Sequence, residues 1–235
     1  MSVTEVLDSS RTPDGKRMVL AREGRALTIY VEERVLMSSR LHGSEDALAE
    51  VGCGHLFEDG VRPHRGRRAA PKRVLVGGLG LGYTLRRTLD LVGPDDVVEV
   101  AELMPAIVRW HREGPLGALA GRPLDDPRCL VVVGDLGAHL REGDEERYDV
   151  MLLDVDNGPE AFASKSNRWL YGADGLARIR ALLARGGRVV FWSAFEDRGF
   201  ASRLAATGLA ARVVRVGQAD RRDEDKHVLF VGERA

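Results

Sequence analysis

Four apolar runs in the middle of the chain each end in residues that can hold or react with a small molecule. Val74-Leu75-Val76 runs into Gly77-Gly78-Leu79-Gly80-Leu81-Gly82, and a helical pattern follows. The run at 97–101 stops at Glu102, that at 130–133 at Gly134-Asp135, and that at 150–153 at Asp154. Short β-branched runs alternating with helical patterns are strands of a parallel sheet. Ligands of such a sheet sit in the crevice beyond the carboxyl ends of its strands. One glycine loop and three carboxylates are therefore expected at one place, and their chemistry is that of a nucleotide-type cofactor site. Glu102 stands 20 residues after Gly82, where an acid at a strand end bonds the two ribose hydroxyls. Glu99 competes for that role but lies inside its strand, whereas Glu102 directly precedes the loop into a helix opened by Pro105.

Plainer roles exist for the same residues. Gly78, Gly80 and Gly82 also suit a bare strand-to-helix turn. Asp135 also suits an N-cap for the helix that starts at Leu136, a role that can coexist with accepting the adenine amino group. No Gly-Lys-Ser/Thr follows the loop, which excludes a Walker phosphate cradle. A dinucleotide stays open as a ligand. Asp154-Val155-Asp156 resembles a metal-binding pair, but no His or third carboxylate follows at ligand spacing, so no metal is expected. His42, His111, His139 and His227 have no Ser or Cys partner in a recognisable order and read as surface or core residues. Trp110 and Trp169 read as packing residues, and Trp192 as either packing or part of an acceptor wall.

These residues need a frame to position them. Strands at 74–77, 97–102, 129–134, 148–154 and 188–192 alternate with helices at 83–91, from Pro105 to Gly114-Pro115, at 136–140, 171–184 and 198–206. The runs at 211–216 and 227–232 have no helix between them and should pair antiparallel. Such alternation gives an α/β, Rossmann-like, doubly wound sheet with a C-terminal antiparallel hairpin. Ahead of it, 18–20 and 27–31 flank Glu23-Gly24-Arg25 as a hairpin, Val35-Leu36-Met37 adds a strand, and Ser44 caps a short helix ending near Gly52. The turn formers of residues 1–15 mark a loose tail. The expected organisation is a β-hairpin appendage with a short helix over 1–55, a basic linker over 56–72 and a Rossmann-like cofactor domain over 73–235. The linker carries Arg62, His64, Arg65, Arg67 and Arg68 without interleaved aromatics, which favours a solvated connection over a nucleic-acid contact.

Composition narrows the function classes. Net charge is −1 across 235 residues, so no overall field recruits nucleic acid or a membrane surface. No apolar run approaches the ~20 residues of a membrane span. Met1 to Asp14 lacks the cationic start and apolar core of a signal peptide. Cys53 and Cys129, far apart, do not make a disulfide framework or a zinc knuckle. A cytoplasmic protein is expected, with neither nucleic acid nor membrane as partner.

With these residues in view, the chain resembles the class I S-adenosylmethionine-dependent transferases, and within them spermidine synthases and their relatives. The likeness covers 72–193 and rests on Val74-Leu75-Val76-Gly77-Gly78, Thr84-Leu85-Arg86, Glu102 with Pro105, Gly134-Asp135 and Tyr148-Asp149-Val150 through Asp154. Gly158-Pro159 and Leu170-Tyr171 through Gly186-Gly187 extend it. The resemblance implies the class I methyltransferase type of doubly wound sheet, and S-adenosylmethionine or its decarboxylated form as cofactor. It implies a cofactor site of Gly77, Gly78, Gly80, Gly82, Glu102, Leu103, Gly134, Asp135 and Leu136, with Asp154 as catalytic base. Asp156, Asn157, Trp192 and His42 become candidates to line the site of a small-molecule acceptor, an amine. The family's N-terminal β region often builds its oligomer interface, which implies a homodimer.

The chain departs from the family at three places. The loop has Leu79-Gly80-Leu81 where the family carries an aspartate for the amino group of the decarboxylated cofactor. Asp154-Val155-Asp156-Asn157 is shorter than the usual Asp-Ser-Ser-Asp. The N-terminal glutamine and tyrosine of the polyamine site have no clear counterparts in 36–45. Aminopropyl transfer to a small amine leads. An S-adenosylmethionine-dependent methyltransferase acting on a small molecule, an inactive nucleotide-binding relative and a dinucleotide oxidoreductase remain the alternatives.

Overall fold

The structure, a computed structural model, describes residues 4–57, 70–144, 147–155, 165–217 and 227–235. The expected linker lies largely outside them, as do Gly158-Pro159 and the candidate acceptor residues Asp156 and Asn157.

Seven strands make the main sheet. β5 (Arg73–Gly77), β6 (Val97–Glu102), β7 (Cys129–Val133), β8 (Tyr148–Leu153) and β9 (Leu183–Ser193) are parallel, β10 (Ala210–Val216) runs in their direction, and β11 (His227–Glu233) runs against them. The order is β10-β11-β9-β8-β5-β6-β7, with β11 antiparallel to both of its neighbours. Direction reverses on either side of β5, so the ends of β5 and β8 flank the switch point at which doubly wound sheets bind ligands.

Alternation along each strand builds two cores, as the two-residue period of a strand requires. Val74, Val76, Val98, Val100, Val150 and Leu152 face one side, against α1 (Gly43–Cys53), α2 (Tyr83–Leu91) and α3 (Pro105–Arg112). Leu75, Met151, Leu153, Val189 and Phe191 face the other, against α5 (Leu136–Glu142), α6 (Ala173–Leu182) and α7 (Arg198–Ala206). Burial on both faces explains why these strands read as unbroken apolar runs. Among the described residues no helix is long and apolar enough to cross a membrane, and Cys53 and Cys129 are free thiols.

A separate antiparallel sheet precedes this domain: β1 (Thr4–Arg11), β2 (Arg17–Glu23), β3 (Ala26–Val31) and β4 (Arg34–Ser38). The loose tail expected over 1–15 is instead largely strand. Side-chain anchoring wins over the local turn formers: Asp8 accepts from the Trp110 indole N–H (2.6 Å) and from Arg109 (3.0 Å), tying β1 to α3. The helix expected from Ser44 is α1, but His42 occupies its N-cap and the His42 carbonyl accepts the amides of Glu45 and Asp46.

Two other boundaries shift. Gly114-Pro115 ends α3 but also opens α4 (Pro115–Leu119), because proline suits the first helical turn. Gly186-Gly187 does not close a helix running to Ala184; α6 stops at Leu182 and the glycines lie inside β9. There the register slips between Tyr148 and Val150, and Gly186 donates to the Arg234 carbonyl while Gly187 accepts from the Arg234 amide.

Candidate active site

The site begins where β5 runs out. Gly77, Gly78, Gly80 and Gly82 form the turn into α2, with φ of +97° at Gly78, +50° at Gly80 and +87° at Gly82. Side chains avoid this left-handed region. Gly78 has a second reason to be glycine, since a Cβ there would lie 2.3 Å from the Asp154 carbonyl oxygen. The turn is pinned by Gly78 N–H to the Ala101 carbonyl (2.8 Å) and Gly82 N–H to the Leu79 carbonyl (2.8 Å). Leu79 and Leu81 are buried, so the position where an acid could grip a cofactor amine is apolar.

Asp154 leaves β8 directly against this loop. Its amide donates to the Gly77 carbonyl (2.9 Å), which brings Asp154 and the glycine turn together. Leu153 pairs with Phe191 in parallel register, so Asp154 leaves β8 next to Trp192, which is still within β9 and pairs with Leu229. The Trp192 ring lies against His227 at 4.9 Å. Neither Trp192 Nε1 nor His227 Nδ1, both buried, has a hydrogen-bond partner among the described residues.

Glu102 is 5% exposed at the end of β6. One carboxylate oxygen accepts from the amides of Leu79 (2.9 Å) and, more weakly, Gly80 (3.4 Å), while the other accepts from Met104 (2.8 Å). Burial pushes its pKa above the ordinary glutamate value although these amide donors pull it down. The Leu103 amide also donates to this carboxylate. Glu99, the competitor, is consumed elsewhere. It accepts from Tyr148 (2.6 Å) and Arg147 (2.8 Å) and partners His139 Nε2.

Gly134, Asp135, Leu136 and Leu103 fall around the same end of the sheet. Gly134 donates its amide to the Glu102 carbonyl (2.9 Å). Asp135 caps α5, accepting from the Ala138 amide (2.8 Å). Leu136 is buried, with its Cδ2 2.7 Å from where a Gly77 Cβ would stand, and Leu103 is half-buried on the core. His42 packs against the first residue of α2. Its ring stacks on Tyr83 at 4.2 Å, its Nδ1 is 2.8 Å from Asp46, and it lines an open groove of about 350 Å³ with Arg86 and Gly121. Among the described residues no group of three His, Cys, Asp or Glu could hold a metal ion.

Sequence reading assigned His111 to surface or core and gave it no function. It is buried on α3, and its Nε2 lies 2.9 Å from the Gly80 carbonyl. The available signal was its i+4 spacing from Ile107, which puts a titratable residue on the buried face of a helix directly behind the loop.

No family model matches the chain. It is 31% identical over 109 residues to the polyamine aminopropyltransferase of Thermococcus onnurineus, an alignment spanning 46% of this chain and 36% of that protein. It is 30% identical over 151 residues to polyamine aminopropyltransferase 1 of Hyperthermus butylicus, spanning 58% of this chain and 46% of the relative. Both alignments thus span less than half the length of the curated relative. The crystal structure of spermidine synthase from Thermotoga maritima superposes with a TM-score of 0.73 at 17% identity, over 98% of this chain and 73% of that one. The chain therefore has a spermidine synthase-like form of the class I methyltransferase fold.

Proposed function

We propose that this chain is an aminopropyltransferase that uses decarboxylated S-adenosylmethionine and a small amine. The observation that carries the reading is the bond from the Asp154 amide to the Gly77 carbonyl, which sets a carboxylate residue beside the glycine turn at the switch point of a spermidine synthase-like sheet. Similarity to polyamine aminopropyltransferases supports the same chemistry. The turn needs its glycines, because an added Cβ would meet the Asp154 carbonyl at Gly78 and the His111 ring at Gly82, and a glycine turn at the switch point of a doubly wound sheet suits a nucleoside cofactor.

In this reading Gly77, Gly78, Gly80 and Gly82 cradle the cofactor and Glu102 holds its ribose hydroxyls. Asp135 accepts the adenine amino group beside Leu103, Gly134 and Leu136. The bound cofactor supplies an electrophilic carbon next to a sulfonium, so the new N–C bond forms as the C–S bond breaks and a thioether leaves. Asp154 takes the proton the attacking amine must lose, a task that needs a carboxylate within hydrogen-bond reach of that nitrogen. Correct placement supplies much of the remaining rate, since the leaving group is already good. Asp156, Asn157, Trp192 and His42 are the residues assigned to the amine acceptor. The protein works in the cytoplasm, and two copies pair through the N-terminal sheet, where β4 leaves Val35 58% and Leu36 40% exposed.

Aminopropyl transfer to a diamine panel tests this directly. Asp154→Asn should abolish turnover while leaving cofactor affinity within about tenfold, a change of ~1.4 kcal/mol. Full activity in that variant would remove Asp154 from the mechanism.

A further inference from the structure

His111 is 2% exposed and reaches the glycine turn from α3. A carbonyl only accepts, so the 2.9 Å contact from Nε2 to the Gly80 oxygen requires the proton on Nε2 and leaves Nδ1 bare. Nδ1 is buried and has no partner among the described residues, and burial holds the ring's pKa below the ordinary histidine value. The ring is therefore neutral, in one tautomer, with its one N–H spent on the loop. It is also wedged in place, because its Cε1 lies 2.7 Å from where a Gly82 Cβ would be, a position only glycine leaves open. On the other side of the Gly80 Cα, in the preceding peptide, the Gly80 amide donates to Glu102 at 3.4 Å, and the Leu79 amide does so at 2.9 Å. Both peptides that flank the Gly80 Cα are thus held, one by its carbonyl to His111 and one by its amide to Glu102. A turn built from three left-handed glycines is costly to order in isolation, so the groups that hold it determine how much of the population can receive a ligand.

We propose that His111 is the positioning residue of the glycine turn: its Nε2–H fixes the Gly80 carbonyl and so presets the loop conformation that receives the cofactor. It acts through the loop and touches no ligand. This rests on the assignment of the turn as the cofactor cradle.

The test compares wild type with His111→Leu, which keeps bulk without a donor, and His111→Gln, whose carboxamide N–H restores one. Amide hydrogen exchange across 77–85 is read without ligand, alongside the KM for decarboxylated S-adenosylmethionine and kcat. His111→Leu should raise exchange in this segment about tenfold and raise KM about tenfold with kcat within threefold, and His111→Gln should recover most of both losses. Unchanged exchange in His111→Leu, or equal impairment of both variants, overturns the proposal. Long-range ¹⁵N–¹H NMR of the wild-type ring needs no variant to fold. It should show the Nε2-protonated tautomer, and an Nδ1-protonated ring would contradict the proposal. If wild type binds no form of the cofactor, the functional reading fails, while the exchange and tautomer results still decide the role of His111 in the loop.

Discussion

Gly78 joins backbone conformation to chemistry more tightly than any other position in the site. Its φ of +97° is strained for a side chain, and an added Cβ would meet the Asp154 carbonyl oxygen at 2.3 Å. Gly78→Ala should cost more than ~1 kcal/mol of stability, measured by urea denaturation, because both the conformation and the contact are incompatible with alanine. It should also abolish any rise in melting temperature on adding cofactor. A variant as stable as wild type would mean that the loop relaxes without loss. At this scale the sequence announced residue types better than partners. Glu102 could be placed at a strand end, yet its bonds to the amides of Leu79, Gly80 and Met104 depend on how the loop folds back. Asp135 performs the helix-capping role that its spacing before Leu136 also suggested. The bond of His111 to the loop was not legible because nothing local links it to Gly80, 31 residues away.

Among the elements, β6, β8 and α5 are tied together by one buried acid. Glu99 accepts from Tyr148 and Arg147 and partners His139. Burial alone would raise its pKa, but the bonds from Tyr148, Arg147 and His139 prevail and hold it below the ordinary value of 4.5. A depressed folded-state pKa contributes stability that is present above the unfolded value and lost as pH falls through the folded one. Thermal stability should therefore decline on acidification below about pH 4.5, and Glu99→Gln should be less stable at neutral pH with a flatter acid limb. An identical acid limb in both proteins would show that other carboxylates set it. Helices α2 and α7 were legible to the residue, because Gly82 and Asp197 mark their starts and the apolar pattern carries the rest. The glycine pair at 186–187 misled because glycines that commonly stop a helix here serve a slipped strand register, which only the pairing with β8 and Arg234 reveals. Strand β1 was missed for a similar reason. Its alternation is weak, and what orders it is the distant indole of Trp110.

At the scale of the whole molecule, strict alternation of strand and helix made the doubly wound class legible, and the lack of a helix before β11 made its antiparallel entry legible. Strand order was less so, because insertion of β11 between β9 and β10 is a tertiary choice. Fold alone does not decide chemistry, and the apolar Leu79 and Leu81 leave the loop without the acid that would select the decarboxylated cofactor. The most direct test of the central claim is the melting temperature of the purified protein with matched concentrations of S-adenosylmethionine and its decarboxylated form. A ligand that binds only the folded state at 100 times its Kd adds ~2.7 kcal/mol, a readily measured shift. Aminopropyl transfer predicts the larger rise with the decarboxylated form. A larger rise with the intact form, or none with either, would contradict it.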